Sequence, residues 1–290
     1  MTIRTKIRDI AYGKFPYLYD IWAKVNGLLG REVTPIYLLP FSGWGMTTAT
    51  LPPWHERGRD ELANDFFKAH QALVSRIESG AMNLSQFKNE MGDGADITKM
   101  MSELMWRHYI VFWTAAFAAK VSHDDKINIA ECGVADGLTS YFAMNSLIAQ
   151  GKNSFKCFLY DSWEGMKEEF LTTEEKSNKG RYSYLSVANT KNNLIEFKDN
   201  LTFNIGFIPE SLSISTNPDN ITWLHIDLNS SSPTTAALEF FYDRIQRNGL
   251  VLFDDYAGYE DTKKAVDAFF RNKSGILLPL PTGQAIYFKS

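Results

Sequence analysis

The sequence predicts an α/β fold: a doubly wound, mainly parallel sheet of seven strands whose last strand is antiparallel, behind a helical N-terminal extension. Three observations carry this. From Lys126 to the C-terminus, apolar runs of strand length alternate with helical patterns, the signature of βαβ units with helices on both faces of a sheet. The last two runs are joined only by Pro281-Thr282-Gly283, too short for a parallel crossover, so they are antiparallel neighbours. Four of the first five runs end in a carboxylate, which collects acids on the rim where such sheets bind ligands.

The elements follow in order. Residues 1–31 carry six Lys/Arg against two Asp and many aromatics, and are expected to form a helical extension packing on the body or on another subunit, in a homo-oligomer. The segment 40–58, "PFSGWGMTTATLPPWHERG", is a Gly-, Pro- and Trp-containing loop and a candidate lid. Helical patterns follow near 60–79 and 97–121. The most apolar window, Tyr109–Ala119, is too short to span a bilayer and reads as a core helix. The boundary is therefore set at 1–100 for the extension and 101–290 for the main domain. In the latter, strands are expected at 127–132, 154–161, 201–206, 221–227, 249–255, 275–280 and 284–289. Helices are expected at about 138–150, 186–197, 233–246 and 260–272. The polar stretch 167–183 reads as a mobile loop and a second candidate lid.

Bulk properties exclude some classes. A net charge of −4 gives no electrostatic footprint for nucleic acid. The two cysteines, Cys132 and Cys157, fall inside apolar runs and offer neither a disulfide framework nor zinc-ligand spacing. The N-terminus lacks the apolar core of a secretory signal, so a reducing cytoplasm and no transmembrane segment are expected.

The rim acids are Glu131, Asp161, Asp227 and the pair Asp254–Asp255. The first turn, "CGVADG", places Gly133 and Gly137 where a ligand could approach the backbone. Its spacing is not the dinucleotide fingerprint, which disfavours an oxidoreductase. Glu131 and Asp136 flank the turn; acids there repel phosphate and accept an ammonium group. Asp161, ending the second strand, can take both hydroxyls of a ribose. A nucleoside with an amine and no phosphates results, and S-adenosylmethionine answers that description.

The segments "IAECGVADGLTS", "LYDSWEGM", "GFIPESL", "LHIDLNSSSPTTAALEFFYDRI" and "GLVLFDDY" resemble, in order and spacing, the macrocin O-methyltransferase family of Rossmann-like, class I S-adenosylmethionine-dependent methyltransferases. The resemblance covers about 105–290. It implies methyl transfer to a hydroxyl of a sugar or glycosylated metabolite, assisted by a divalent cation such as Mg²⁺. It implies that Glu131, Gly133 and Gly137 lie at the methionine end of the cofactor, with Asp136 a further cofactor-binding candidate from the turn's own chemistry, that Asp161 holds the ribose with Ser162 and Trp163 beside the adenosine, and that Phe207 and Ile208 face the adenine. Asp227, Asp254 and Asp255 match the metal-ligand positions.

One departure stands out. The family commonly has Asp-x-Asp at the end of the fourth strand and a Tyr two residues on; this chain has Asp227-Leu228-Asn229 and Ser231. An amide takes no proton at neutral pH, so Asn229 is no base. Asp227, Asp254 and His225, which shares a strand face with Asp227, are the catalytic candidates. Asn229, Tyr256 and Gln284 are the candidate substrate contacts. Arg107 is expected to pair with the cofactor carboxylate, and His108 to pack in its helix. The aspartates remain open between metal ligation, shaping of a metal-free pocket, and a catalytically silent cofactor site.

Overall fold

In a computed structural model of the chain, the described residues are 61–290 except 93, 95 and 123–125. The expectations for residues 1–31 and for the loop 40–58 lie outside them. Seven strands, β1 (Ile127–Cys132), β2 (Phe155–Asp161), β3 (Leu201–Ile205), β4 (Ile221–Ile226), β5 (Ile245–Phe253), β6 (Gly275–Pro279) and β7 (Ala285–Lys289), form one sheet in the order β3-β2-β1-β4-β5-β7-β6. The first five pair in parallel, and β7 is antiparallel to both β5 and β6. Strand order reverses beside β1, which places a crevice beyond the carboxyl ends of β1 and β4.

The strands alternate between two buried layers, as a period of two requires. Ile127, Ile129, Leu159, Trp223 and Leu252 join the core beneath helices α1 (Glu61–Glu78), α4 (Met105–Val121) and α5 (Leu138–Ala149). Ala130, Phe158, Leu224, Val251 and Phe253 face the other core, under α8 (Ser231–Phe241) and α9 (Glu260–Phe270). The near-continuous apolar character of the strands follows from burial on both faces. The remaining α-helices among the described residues are short: α2 (Ser85–Met91), α3 (Ile97–Glu103), α6 (Val187–Asn193) and α7 (Glu210–Ile214).

The pattern expected over 97–121 is two helices, α3 and α4, meeting at Leu104. The fifth strand begins four residues earlier than expected, at Ile245, and ends at Phe253 rather than Asp255. Its pairing with β4 shifts register between Ile221 and Trp223, and Asn248 lies at φ +66°. That irregularity turns the polar stretch Gln246–Asn248 outward and hides the strand's start from any alternation pattern. Among the described residues no helix is long and apolar enough to cross a membrane.

Candidate active site

The strand ends converge as the sequence predicts. Gly133 after β1 sits at φ +88°, and a Cβ built there would lie 1.8 Å from the Asp227 carbonyl oxygen. The missing side chain thus lets β1 and β4 close together at their ends, where Asp227 N donates to Cys132 O (2.8 Å). Gly137, at φ +86°, is crowded by Leu194 and Thr190, so its open side takes packing from α6 and the residue that follows it rather than a ligand. Three non-glycine residues at strand ends also have positive φ: Ala135 (+48°), Trp163 (+49°) and Asn229 (+52°). Such conformations persist where surrounding contacts over-determine them, and they gather at functional sites.

A cavity of about 320 Å³ opens over these ends, a size suited to a small-molecule site. On one side it is lined by Gly133, Asp161, Ser162, Phe207 and Ile208, and on the other by Asp227, Asn229, Asp254 and Asp255. Asp161 Oδ2 accepts the backbone N–H groups of Val134 (2.7 Å) and Ala135 (2.9 Å), and Oδ1 that of Trp163 (2.7 Å). Burial raises its pKa, against the pull of these bonds. Phe170 stacks on Phe207 with centroids 5.3 Å apart, and Lys167 lies over the same ring.

Other candidates lie outside the cavity wall. Glu131 is buried beneath it, bonded to Ser140 Oγ and to His225 Nδ1 (3.2 Å). Burial pulls the His225 pKa down, but the hydrogen bond and charge of Glu131, reinforced by Asp227 and Asp254, carry it above the ordinary value. Asp136 is 3% exposed and accepts from Ser85 Oγ, Gln86 N and Asn189 Nδ2, so it ties the β1 turn to α2 and α6. Trp163 points inward, its Nε1 bonding Ala135 O and Thr190 Oγ1. Tyr256 turns away, its hydroxyl donating to Asp267 Oδ1 on α9 (2.7 Å). Gln284 is buried behind Asp254 and donates to its Oδ1 (2.9 Å). His108 is buried in α4 and stacks on Phe142 at 4.7 Å.

Arg107 departs from the sequence expectation. From the first turn of α4 its Nη2 reaches Asp254 Oδ2 at 2.6 Å and Asp227 Oδ2 at 3.1 Å. Burial opposes its charge, but Asp254, Asp227 and Asp255 hold it firmly protonated. Asn229 braces the same cluster: Nδ2 donates to Asp227 Oδ1 (3.1 Å), and its backbone N to Asp255 Oδ2 (3.1 Å). Its Oδ1 accepts the hydroxyls of Tyr182 and Tyr259, each at 3.1 Å. Even so the three acids repel one another. Burial, with Asp255 and Asp254, raises Asp227 well above its usual range, and burial and Asp254 push Asp255 up to about 6.

The cation implied by the resemblance can be tested on this geometry. One atom each of His225, Asp227 and Asp254 lies within 4.8 Å of the others, a spacing an ion could bridge. The guanidinium already bridges Asp227 and Asp254, and the amides of Asn229 and Gln284 address their remaining oxygens. As arranged, the residues do not fit a resident divalent ion.

Sequence reasoning missed the loop residues at this site. The stretch 167–183 forms short 3-10 turns at Glu168–Phe170 and Lys176–Asn178 and brings Phe170, Arg181 and Tyr182 to the cavity. Its anchor, Glu175, is 3% exposed and accepts Ser231 N (2.9 Å), Ser230 Oγ (2.9 Å) and Thr172 N (3.0 Å). A carboxylate capping the start of α8 is stabilised there by its unpaired N–H groups. The available signal was aromatic residues, Phe170 and Tyr182, inside an otherwise polar stretch.

Among the solved structures that share this fold are two methyltransferases. The O-methyltransferase NovP is 17% identical, with a TM-score of 0.58 over 64% of this chain and 80% of its own. The calicheamicin methyltransferase CalS11 is 15% identical, with a TM-score of 0.53 over 77% of this chain and 91% of its own. Comparison with curated protein sequences gives no significant match. The profile of the macrocin O-methyltransferase family (TylF) matches residues 50–289, so the chain belongs to the macrocin O-methyltransferase family.

Proposed function

We propose that this O-methyltransferase binds its methyl donor, S-adenosylmethionine, in the strand-end cavity and passes the methyl group to a hydroxyl oxygen of a sugar or glycosylated metabolite. The observation that carries the reading is the two-sided cavity. One wall holds the strand-end carboxylate Asp161 with Phe207 and Ile208; the other holds Asp227 and its braced partners. Asp161 then receives the ribose hydroxyls, Ser162 lies beside them, and Phe207 and Ile208 cover the adenine. The sulfonium faces the acidic wall, whose excess negative charge favours a cation.

The acceptor hydroxyl attacks the methyl carbon in line. The new C–O bond forms as the C–S bond breaks, the electron pair stays on sulfur, and S-adenosylhomocysteine leaves. The hydroxyl proton passes to Asp227, whose carboxylate is held by Arg107 and Asn229. The donor is already activated, so alignment supplies much of the rate. Asp254 and Asp255 act by charge and by fixing Arg107 and Asn229. The phenols of Tyr182 and Tyr259, with Asn229 between them, form a hydrogen-bonding wall suited to an uncharged polyol. Phe170 and Tyr182, carried on the loop 167–183, exclude water from the sulfonium.

The test is transfer of labelled methyl from S-adenosylmethionine to a panel of sugar nucleotides and glycosides. The expected product carries its label as an alkali-stable ether on a sugar. A base-labile ester, or label on nitrogen, would contradict the reading.

A further inference from the structure

We propose that Arg107 is the resident cation of this site, so that methyl transfer by this chain needs no divalent metal. The inference rests on the reading of the cavity as a methyl-transfer site.

Three features of the structure converge on it. Arg107 Nη2 contacts both Asp227 and Asp254, at 3.1 and 2.6 Å, so an ion bridging that pair would have to take the guanidinium's place. Of the six carboxylate oxygens of Asp227, Asp254 and Asp255, five already lie within hydrogen-bonding reach of a protein nitrogen: Arg107 takes two, the Asn229 side chain one, its backbone one, and Gln284 one. A metal shell needs those oxygens free and aimed at one point; here Asp227 Oδ2 and Asp254 Oδ2 converge on the guanidinium itself, and the other three are turned to separate amide donors.

The second feature is Asn229 itself. Its Oδ1 accepts two phenol protons, which fixes the amide so that Nδ2 faces Asp227. A carboxylate at 229 could accept the phenols but would repel Asp227. The amide therefore matches an arginine-neutralised cluster, in which donors are needed more than further negative charge.

The third is the seating of Arg107. The helix that carries it, α4, is fixed on the sheet by the bond from Trp223 Nε1 to Thr114 Oγ1 (3.0 Å) and by the buried residues Val111, Phe112 and Ala115. Stacking of His108 on Phe142 fixes the adjoining turn. The guanidinium is thus delivered by the rigid frame, with its side chain 29% exposed. Arg107 acts here as a positioning residue: it neutralises Asp254 and orients Asp227, and it leaves the reacting atoms to the acid.

Mn²⁺, followed by electron paramagnetic resonance, is the probe, titrated into the 290-residue chain loaded with S-adenosylhomocysteine. The expected result is no saturable Mn²⁺ binding up to millimolar concentration in the wild type. Arg107→Met should gain a saturable site, whereas Arg107→Lys, which keeps the charge, should not; if the Met variant does not fold, the wild-type titration and the chelator assay carry the test. Wild-type methyl transfer should be unchanged by a strong chelator. A single saturable Mn²⁺ site in the wild type that disappears in Asp254→Asn overturns the inference, as does a folded Arg107→Met variant that gains no site. Failure of S-adenosylhomocysteine to bind in the same samples would instead sink the methyltransferase reading; its binding alongside a wild-type Mn²⁺ site sinks only the role given to Arg107.

Discussion

Gly133 shows how one residue sets the geometry of the rim. An added Cβ would meet the Asp227 carbonyl oxygen at 1.8 Å, whereas at Gly151, also at positive φ, it would meet nothing within 4 Å. Gly151→Ala should therefore cost only the backbone strain, about 1 kcal/mol. Gly133→Ala adds a clash with backbone that is itself held in the sheet, and should cost at least about 3 kcal/mol in urea unfolding. Equal costs at the two sites would show that the strand ends are not so closely joined. The same residue shows what the sequence could not convey. A glycine at a βα turn announces an unusual φ but not which neighbour fills its open side: Gly137 reads as a ligand approach but is packed by Leu194 and Thr190, whereas Gly133 lines the cavity and also takes the Asp227 carbonyl against its bare Cα. Asp136 and Trp163 lie outside the cavity lining, each tied by its side chain to neighbouring elements through hydrogen bonds that no local pattern records. Asp161, Asp227, Asp254 and Asp255 were legible because strand-end position follows from periodicity and topology. The pairing of Arg107 with Asp227 was not, since 120 residues separate them.

At the scale of elements, Glu175 joins the loop 167–183 to the start of α8. It serves three donors at once, and their loss would leave buried N–H and O–H groups unpaired. Glu175→Ala should lower stability by about 1–3 kcal/mol. Because Phe170 and Tyr182 ride on the same loop, KM for the methyl donor should rise together with the loss in thermal stability. An unchanged KM in a destabilised variant would separate the loop from the site. A polar stretch of this kind reads as a loop because its hydrogen bonds are to a distant helix, which no local pattern records.

The helix layer over one sheet face contains two buried histidines, and they link stability of the whole molecule to pH. Burial lowers the pKa of His70, and burial with the charges of Arg107 and His70 lowers that of His108. The unfolded chain, with an ordinary value near 6.5, then takes up protons first as pH falls. Their contribution is full above that value and is lost as pH drops below it. Asp255, raised to about 6, works in the opposite direction, so a difference between proteins isolates the histidines. His108→Phe should be less sensitive to acid than the wild type between pH 7.5 and 5.5 in thermal unfolding; identical profiles would mean that His108 is not buried neutral. At this scale the fold was almost fully legible: the seven strands, their two buried faces and the reversed end follow from alternation and connection length. Methyl transfer depends on the cavity that this topology creates, and calorimetric titration of S-adenosylhomocysteine into the chain and into Asp161→Asn tests that cavity most directly. One saturable site per chain is expected, weakened about 10- to 100-fold in the variant by loss of charged hydrogen bonds. No binding at millimolar ligand, or equal affinity in both proteins, would contradict it.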